Sequence, residues 1–182
     1  MGNYDKVDQK YGPTEIEPRN SDEHRFFIGK KGIKDNLFVI GMNPSKANLT
    51  VDDPTILIVI NAAKELECDG WFLMNLYPSY STNLKDLDKY DDALAKRNFE
   101  EVKKLLIDNS AKEVLVAWGN LKTRQLRRYE YEMLQLLKDI NVKAYYYDKM
   151  TNLGYPYHPL PLGKPKGWQW ISSKIDKKFL EY

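Results

Sequence analysis

Residues 37–45 read Leu-Phe-Val-Ile-Gly-Met-Asn-Pro-Ser, a short apolar run that stops at a glycine and a polar turn. An unbroken apolar run of this length is typical of a strand covered on both faces of a sheet. Gly41 lets the backbone turn sharply, and Pro44 biases Asn43 towards an extended conformation. We therefore predict a buried strand over 37–40 that ends with the amide of Asn43 facing a crevice. A turn braced by an Asx hydrogen bond is the alternative interpretation.

The same arrangement of an apolar run followed by a polar turn recurs along the chain. We predict further strands at 71–74, 114–118 and 142–147, separated by helices at 55–66, 90–108 and 123–138. Strands that alternate with helices form parallel sheets with helices on the faces. The predicted fold is therefore α/β: a three-layer α/β/α arrangement around a central, mainly parallel four-stranded sheet. A short strand at 25–28 and a final helix near 168–180 complete the prediction.

The size and cysteine content restrict the class of protein. A chain of 182 residues favours one domain with a core that needs neither disulfides nor metals. We interpret 1–24 as a polar N-terminal extension and 25–182 as the α/β domain. The single cysteine, Cys68, excludes an internal disulfide and a Cys-rich zinc or iron–sulfur centre, so we predict no cofactor.

The same features predict where the protein works. One cysteine favours a reducing, cytoplasmic location. The apolar runs fall short of the roughly 18 residues that a membrane helix needs, and the start of the chain lacks the apolar core of a signal peptide. We expect a cytoplasmic monomer without membrane contact.

Charge is distributed unevenly along the chain. Residues 122–182 hold 12 basic and 6 acidic side chains, a net charge of +6, whereas the preceding residues carry −4. A basic surface of this kind favours a polyanionic partner, although a solvated surface without a partner gives the same count.

Two further polar side chains follow predicted strands. Asn75 comes directly after 71–74, and His158 lies in the proline-rich loop 155–162. Open α/β sheets bind ligands at the carboxyl ends of their strands. An amide offers both a donor and an acceptor, which matches the amide edge of a pyrimidine such as uracil. A rigid loop can hold an imidazole against a developing negative charge. Together with Asn43, these residues predict a pocket for a polar, planar molecule; for Asn75, a loop-bracing role is the alternative.

The residues that end and follow the third predicted strand are interpreted mainly as structural. Trp118 and Gly119 are predicted to serve packing. Asn120 and Lys122 precede the next helix, and helix N-termini attract anions such as phosphate.

Asp52 and Asp53 allow two interpretations. Followed by Pro54 and Thr55, they predict a helix N-cap. Paired carboxylates also bind metals or act in acid–base chemistry. In that second interpretation one of the two would face the crevice and supply the charge that Asn43 lacks, and Asp53 is the candidate for contacting the substrate.

Taken together, these motifs resemble the uracil-DNA glycosylase superfamily. That family has Gly-Gln-Asp-Pro-Tyr-His, strands ending Leu-Leu-Asn and Leu-Trp-Gly, and His-Pro-Ser-Pro-Leu-Ser, and a mismatch-specific branch begins Gly-Ile-Asn-Pro-Gly. The chain is more closely similar to a bacterial family of uncharacterised domains with Asn-Pro-Ser-x-Ala, Asp-Asp-Pro-Thr, Trp-Gly and His-Pro-Leu motifs. That second resemblance spans roughly 25–162.

The resemblance implies a role for each matched residue in flipping a base and cleaving its glycosidic bond. Asn43 would position the attacking water, Asn75 would read the base, and His158 would stabilise the leaving anion. Leu162 would fill the gap in the duplex, with Pro161 pressing on phosphates. Further candidates for contacting the base are Met42, Ser45, Tyr77 and Tyr80, and those for contacting DNA are Leu160, Lys122, Arg124, Arg127, Arg128, Lys164 and Lys166. DNA is the implied partner, and a protein inhibitor of glycosylases is a second candidate partner.

The chain also departs from the glycosylase pattern. Asn43 stands where the strongest glycosylases have aspartate, and Ser45 stands where they have the tyrosine that excludes thymine. We predict a metal-free DNA glycosylase for uracil or a related deaminated base. The alternatives are a catalytically silent nucleic-acid or nucleotide-binding module, and a metal-assisted nucleotide hydrolase that uses Asp52 and Asp53.

Overall fold

A computed structural model describes residues 9–45, 48–49, 53–80, 91–147, 150–159 and 176–181, and within them the chain forms one mixed sheet with three α-helices. The α/β class is therefore confirmed. The strands are β1 (Glu15–Glu17), β2 (Phe27–Lys30), β3 (Asn36–Gly41), β4 (Gly70–Asn75), β5 (Glu113–Val116), β6 (Lys143–Tyr147) and β7 (Lys177–Phe179). The helices are α1 (Pro54–Glu65), α2 (Asp92–Asp108) and α3 (Arg124–Asp139).

Seven strands of the described residues lie in the order β1-β2-β4-β3-β5-β6-β7. The four strands β4, β3, β5 and β6 are parallel, and they are the four apolar runs that the sequence indicates. The antiparallel strands β1, β2 and β7 extend the sheet beyond the predicted four.

The two outermost strands differ from the sequence prediction for a physical reason. β1 lies in the predicted extension, and β7 lies where a final helix was predicted. Each has three residues, and all three residues of β7 are exposed, so neither carries the apolar pattern from which strands are predicted. The prediction of a helix over 177–179 is therefore wrong, and 168–175 lies outside the described residues.

Each helix begins at a capping side chain. Asp53 accepts hydrogen bonds from the N–H groups of Thr55 and Ile56 at 2.8 and 3.3 Å, and Asp91 and Thr123 cap α2 and α3 in the same way. Such caps satisfy the free N–H groups of the first turn. No helix among the described residues has the length and apolar character needed to cross a membrane.

The helices cover both faces of the sheet. α1 packs with Leu37, Val39 and Leu73 on one face, while α2 and α3 pack on the other. Because both faces are covered, alternate residues of β3 and β4 are buried in opposite directions and their apolar runs are continuous.

The register of the sheet brings the predicted site residues together. Gly41 of β3 pairs with Asn75 of β4, so both strands end at the same level. β2 runs antiparallel to β4, with Phe27 opposite Met74, so the start of β2 lies at the edge where the parallel strands finish.

Candidate functional site

A cavity of about 210 Å³ lies at the carboxyl edge of the parallel strands. This volume is below the roughly 300–1,000 Å³ of pockets that hold drug-sized ligands, so the cavity suits a small ligand. It is lined by Arg25, Gly41, Met42, Asn43, Pro44, Ser45, Thr55, Leu73, Asn75, His158 and Pro159. The cavity therefore brings together Asn43, Asn75 and His158, which are far apart in the sequence.

Asn75 provides the clearest sign that this cavity receives a polar group. Its side chain is 2% exposed, and its Nδ2 has no hydrogen-bond partner among the described residues. An unsatisfied buried donor is costly and rare, and each one calls for an explanation, such as a water or a ligand that completes the hydrogen bond. Its Oδ1 lies 3.1 Å from the position that a Cβ on Gly41 would take, so glycine leaves room for the amide.

Asn98 of α2 holds the backbone of Asn75 in place. Its Nδ2 donates to the carbonyl oxygens of Asn75 and Leu76 at 2.9 and 3.4 Å. The sequence analysis missed this residue. Its signal is weak but present, because Asn98 is a polar residue on the apolar face that also carries Ala95 and Val102.

The turn after β3 is tied to the end of β4. The N–H groups of Leu76 and Tyr77 donate to the carbonyls of Gly41 and Met42 at 2.9 and 3.0 Å. These bonds fix the backbone just before Asn43, which is half-buried, while Pro44 is buried. The amide of Asn43 is thus carried on a rigid turn.

His158 is placed by close contact with Gly119. Gly119 has φ +70°, and a Cβ there would lie 3.1 Å from the Cβ of His158. The N–H of Gly119 donates to Pro156 at 3.0 Å. Gly119 therefore provides both the left-handed turn after Trp118 and the space for the histidine loop.

Arg25 is the main cavity residue that the sequence analysis missed. It is 0% exposed, and its Nη1 donates to the carbonyl of Ser45 at 3.3 Å. Its guanidinium lies 5.8 Å from the ring centroid of Tyr80. The backbone N–H of Arg25 donates to the carbonyl of Pro78 at 2.8 Å. The sequence gives no direct signal, since Arg25 precedes an antiparallel strand rather than following a parallel one.

Two tyrosines predicted to stack on a base do not line the cavity. Tyr77 is buried in the core, where it stacks on Tyr129 with ring centroids 5.5 Å apart, and its hydroxyl accepts from the N–H of Asp91 at 2.9 Å. Tyr80 lies against the guanidinium of Arg25 and is not among the residues that line the cavity. Burial raises the pKa of both phenols. Tyr77 is therefore a core residue, which corrects its assignment to the base-binding group.

Asp53 also lies outside the cavity lining. Its carboxylate caps α1, as the first of the two interpretations predicts. Among the described residues no group of three or more His, Cys, Asp or Glu side chains is arranged to hold a metal ion, and Asp52 lies outside them.

The predicted DNA-contacting residues fall into distinct groups. Lys122 and Arg124 are exposed near the start of α3. Arg127 is exposed and donates to the carbonyl of Leu121 at 3.2 Å. Arg128 forms ion pairs with Asp92 and with Glu132, and its hydrogen bond lowers the pKa of Asp92. The loop residues Leu160, Pro161, Leu162, Lys164 and Lys166 lie outside the described residues.

The side chain of Asn120, which precedes α3, is hydrogen-bonded to another loop of the protein. Its Oδ1 accepts a hydrogen bond from the hydroxyl of Thr151 at 2.6 Å. Thr151 in turn accepts from the N–H of Tyr155, so this bond supports the loop that leads to His158.

The fold and the cavity define an α/β protein with a small polar site at the carboxyl edge of its sheet. Residues 25–160 match the model of a family described as "Protein of unknown function (DUF1643)", and the chain belongs to that family. The matched residues include each of the described residues that line the cavity. Comparison with curated proteins and with solved structures gave no match.

Proposed function

We propose that this protein is a DNA glycosylase that hydrolyses the N-glycosidic bond of uracil or a related deaminated base. The observation that carries the proposal is that Asn75, whose buried Nδ2 has no hydrogen-bond partner, lines one cavity with Asn43 and His158. An extruded uracil would accept this hydrogen bond through a carbonyl oxygen, and its N–H would donate to the amide oxygen. The order of the motifs along a parallel sheet supports a uracil-DNA glycosylase-like fold.

The chemistry divides among three side chains. Water adds across the bond: its oxygen bonds to the sugar C1′ while the C1′–N bond breaks, and the base leaves as an anion that takes up a proton from solvent. His158 donates a hydrogen bond to the base oxygen where negative charge develops. The amide oxygen of Asn43 accepts a hydrogen bond from the attacking water and orients it. An amide cannot take the proton, which passes to solvent.

A binding module without catalysis is the second candidate function. The described residues that line the cavity include no aspartate or glutamate. The general bases of hydrolases are most often histidine or a carboxylate, and the histidine that lines this cavity, His158, is assigned to the leaving base. In this second candidate function, a site with only the amide of Asn43 at the water position binds the base without hydrolysing it. The metal-assisted hydrolase is not favoured by a comparable observation, since Asp53 caps α1.

The decisive experiment measures release of free uracil from single- and double-stranded uracil-containing DNA, with and without a chelator. We expect release by the wild type, unaffected by the chelator, and at least a hundredfold loss in His158→Ala. Asn61→Ala, an exposed asparagine of α1, is the matched control for asparagine substitutions and retains full activity. Absence of release beside an active reference glycosylase, with DNA binding intact, would establish the binding module instead.

A further inference from the structure

The outward face of α3 carries basic and aromatic side chains at a regular spacing. The buried residues of this helix, from Leu126 to Leu137, lie on one side of it. Residues three, four and seven positions apart share one face of a helix, so a second set with this spacing lies on the opposite side. We call this set the α3 stripe, and its members are Arg124, Arg127, Arg128, Tyr131, Gln135 and Lys138.

The α3 stripe is positively charged. It contains no acidic residue, and all but one of its members are exposed. Asp92 and Glu132 form ion pairs with Arg128. Burial raises the pKa of the neighbouring Glu130, and the charge of Arg127 opposes that rise. The cations of the stripe other than Arg128 have no ion pair among the described residues, so this surface suits a polyanion.

Tyr131 lies in the middle of this charged surface. It is 64% exposed, and its side chain makes no hydrogen bond or ring contact within the described part of the chain. By contrast, the exposed Phe179 of β7 packs against the ring of Tyr145. Proteins that bind unpaired nucleic acid combine cations for the backbone with aromatic rings on which the bases stack. Tyr131 offers such a ring between Arg127 and Lys138.

The α3 stripe starts at the edge of the sheet where the cavity lies. The loop between β5 and α3 contains Gly119, which contacts His158 of the cavity lining. Arg124 is the first residue of α3, and the helix then runs back towards the edge where β6 begins. At about 1.5 Å per residue the stripe is about 21 Å long. A strand with roughly 3.4 Å between nucleotides would cover it with about six of them.

We infer that the α3 stripe binds single-stranded DNA, with Tyr131 stacking on an unpaired base and the arginines contacting phosphates. This inference rests on the proposed function in that DNA is the partner of a DNA glycosylase. An unpaired strand is favoured over a duplex because a base within a duplex is already stacked on its neighbours and is not available to Tyr131. Tyr131 therefore determines a preference for single strands.

The test is fluorescence anisotropy of the full chain with a labelled strand of about twelve nucleotides. The strand consists of A, C and G, and it is used as DNA, as DNA paired with its complement, and as RNA. These probes contain no uracil, so binding is measured separately from release of the base.

We expect the single DNA strand to bind more tightly than the duplex. Tyr131→Ala should weaken single-strand binding roughly 5- to 100-fold, because one stacked base is lost, and should change duplex binding less than about twofold. Tyr131→Phe keeps the ring and should bind as the wild type does. Arg124→Gln should weaken both forms, since both have phosphates. Ile107→Ala is the matched control, because Ile107 is a large apolar residue of α2 that is 53% exposed.

The outcomes separate this inference from the glycosylase proposal. If Tyr131→Ala leaves single-strand binding unchanged, or weakens single-strand and duplex binding alike, the inference is overturned. Tighter binding of the RNA strand than of the DNA strand would assign the stripe to RNA and overturn it as well. Uracil release without Tyr131-dependent binding leaves the glycosylase proposal standing alone. Tyr131-dependent binding without uracil release retains the inference and favours the binding module.

Discussion

The Nδ2 of Asn98 on α2 donates to the main-chain carbonyl of Asn75, 2.9 Å away, and so fixes the last residue of β4 from the helix layer above it. The same nitrogen lies 3.4 Å from the carbonyl of Leu76. One fully buried side chain thus serves two carbonyls at the point where the strand becomes the cavity wall.

Asn98→Leu should reduce the free energy of unfolding by about 1–3 kcal/mol, because it leaves buried carbonyls without a donor. It should also weaken binding of uracil to the cavity, since the backbone of Asn75 loses its anchor. Urea denaturation and ligand titration check the two effects. Asn61→Ala serves as the control, and an unchanged midpoint in Asn98→Leu would show that the hydrogen bonds contribute nothing.

Asn75→Ala should separate function from stability. The substitution removes a donor that is already unsatisfied in the free protein, so we expect the free energy of unfolding to change by no more than about 1 kcal/mol. Uracil release should fall by a factor that corresponds to about 3–4 kcal/mol in the barrier. Urea denaturation measures the free energy of unfolding, and assays on folded protein measure uracil release. If the variant unfolds while its folded fraction keeps normal activity, Asn75 has a structural role only.

Comparing two glycines with similar backbone conformations tests the contact between Gly119 and His158 separately from backbone strain. Gly119 has φ +70° and Gly154 has φ +78°, but only Gly119 has neighbours within 4 Å of the added Cβ. Gly154→Ala should lose about 1–2 kcal/mol of stability from backbone strain alone. Gly119→Ala should lose more and also reduce uracil release, because the new methyl group displaces the histidine loop. Equal effects of the two variants on stability and activity would show that the contact has no role.

Cys68 lies far from the proposed site, in a second cavity of about 560 Å³ at the amino edge of the sheet. Burial raises the pKa of its thiol from 9.0 to about 11, and Asp35 and Asp69 add to the rise. The thiol is therefore almost entirely protonated at pH 8, and iodoacetamide should react with it roughly a hundredfold more slowly than with N-acetylcysteine.

The same shift predicts how stability depends on pH. The folded state favours the neutral thiol, so its contribution to stability is complete below pH 9.0 and is lost as the pH rises through about 11. Cys68→Ser should flatten this part of the stability curve. Alkylation at pH 8 at the rate of the free thiol would contradict the raised pKa.

The basic residues near α3 should differ in how they contribute to DNA binding. Lys122 and Arg124 are exposed, whereas Arg128 is paired with two carboxylates. If Lys122→Gln or Arg124→Gln removes one phosphate contact, the slope of log K against log salt falls by about 0.9. Arg128→Gln should change the slope less. Fluorescence anisotropy over a salt series measures this slope, and Lys103→Gln at an exposed position of α2 is the control. If Arg128→Gln changes the slope more than Lys122→Gln or Arg124→Gln, Arg128 is the residue that contacts phosphate.

The elements with strong local signals were predictable from the sequence. The run 37–40 and its three counterparts form the parallel strands because continuous apolar residues suit a sheet covered on both faces. Asp53 and Pro54 mark the start of α1 because capping depends on a few neighbouring residues. Asn43, Asn75 and His158 share a cavity because the ends of parallel strands meet at one edge.

The residues that escaped prediction depend on tertiary contacts. Tyr77 comes after the same strand as Asn75, but its ring stacks on Tyr129 of α3, which the local sequence does not indicate. Asn98 looks like an ordinary polar residue until its helix is placed over β4. Glu15–Glu17 is too short for a pattern, and it becomes a strand only because β2 offers hydrogen-bonding groups along its edge.

The reversed direction of β2 has a consequence for reading related sequences. A strand that runs against its neighbours brings the residues just before its start, not those after its end, to the edge of the sheet where the cavity lies. A search limited to the residues after each apolar run overlooks that contribution. In this family the position of Arg25, two residues before the strand Phe27–Lys30, should be compared along with the turns that follow the parallel strands.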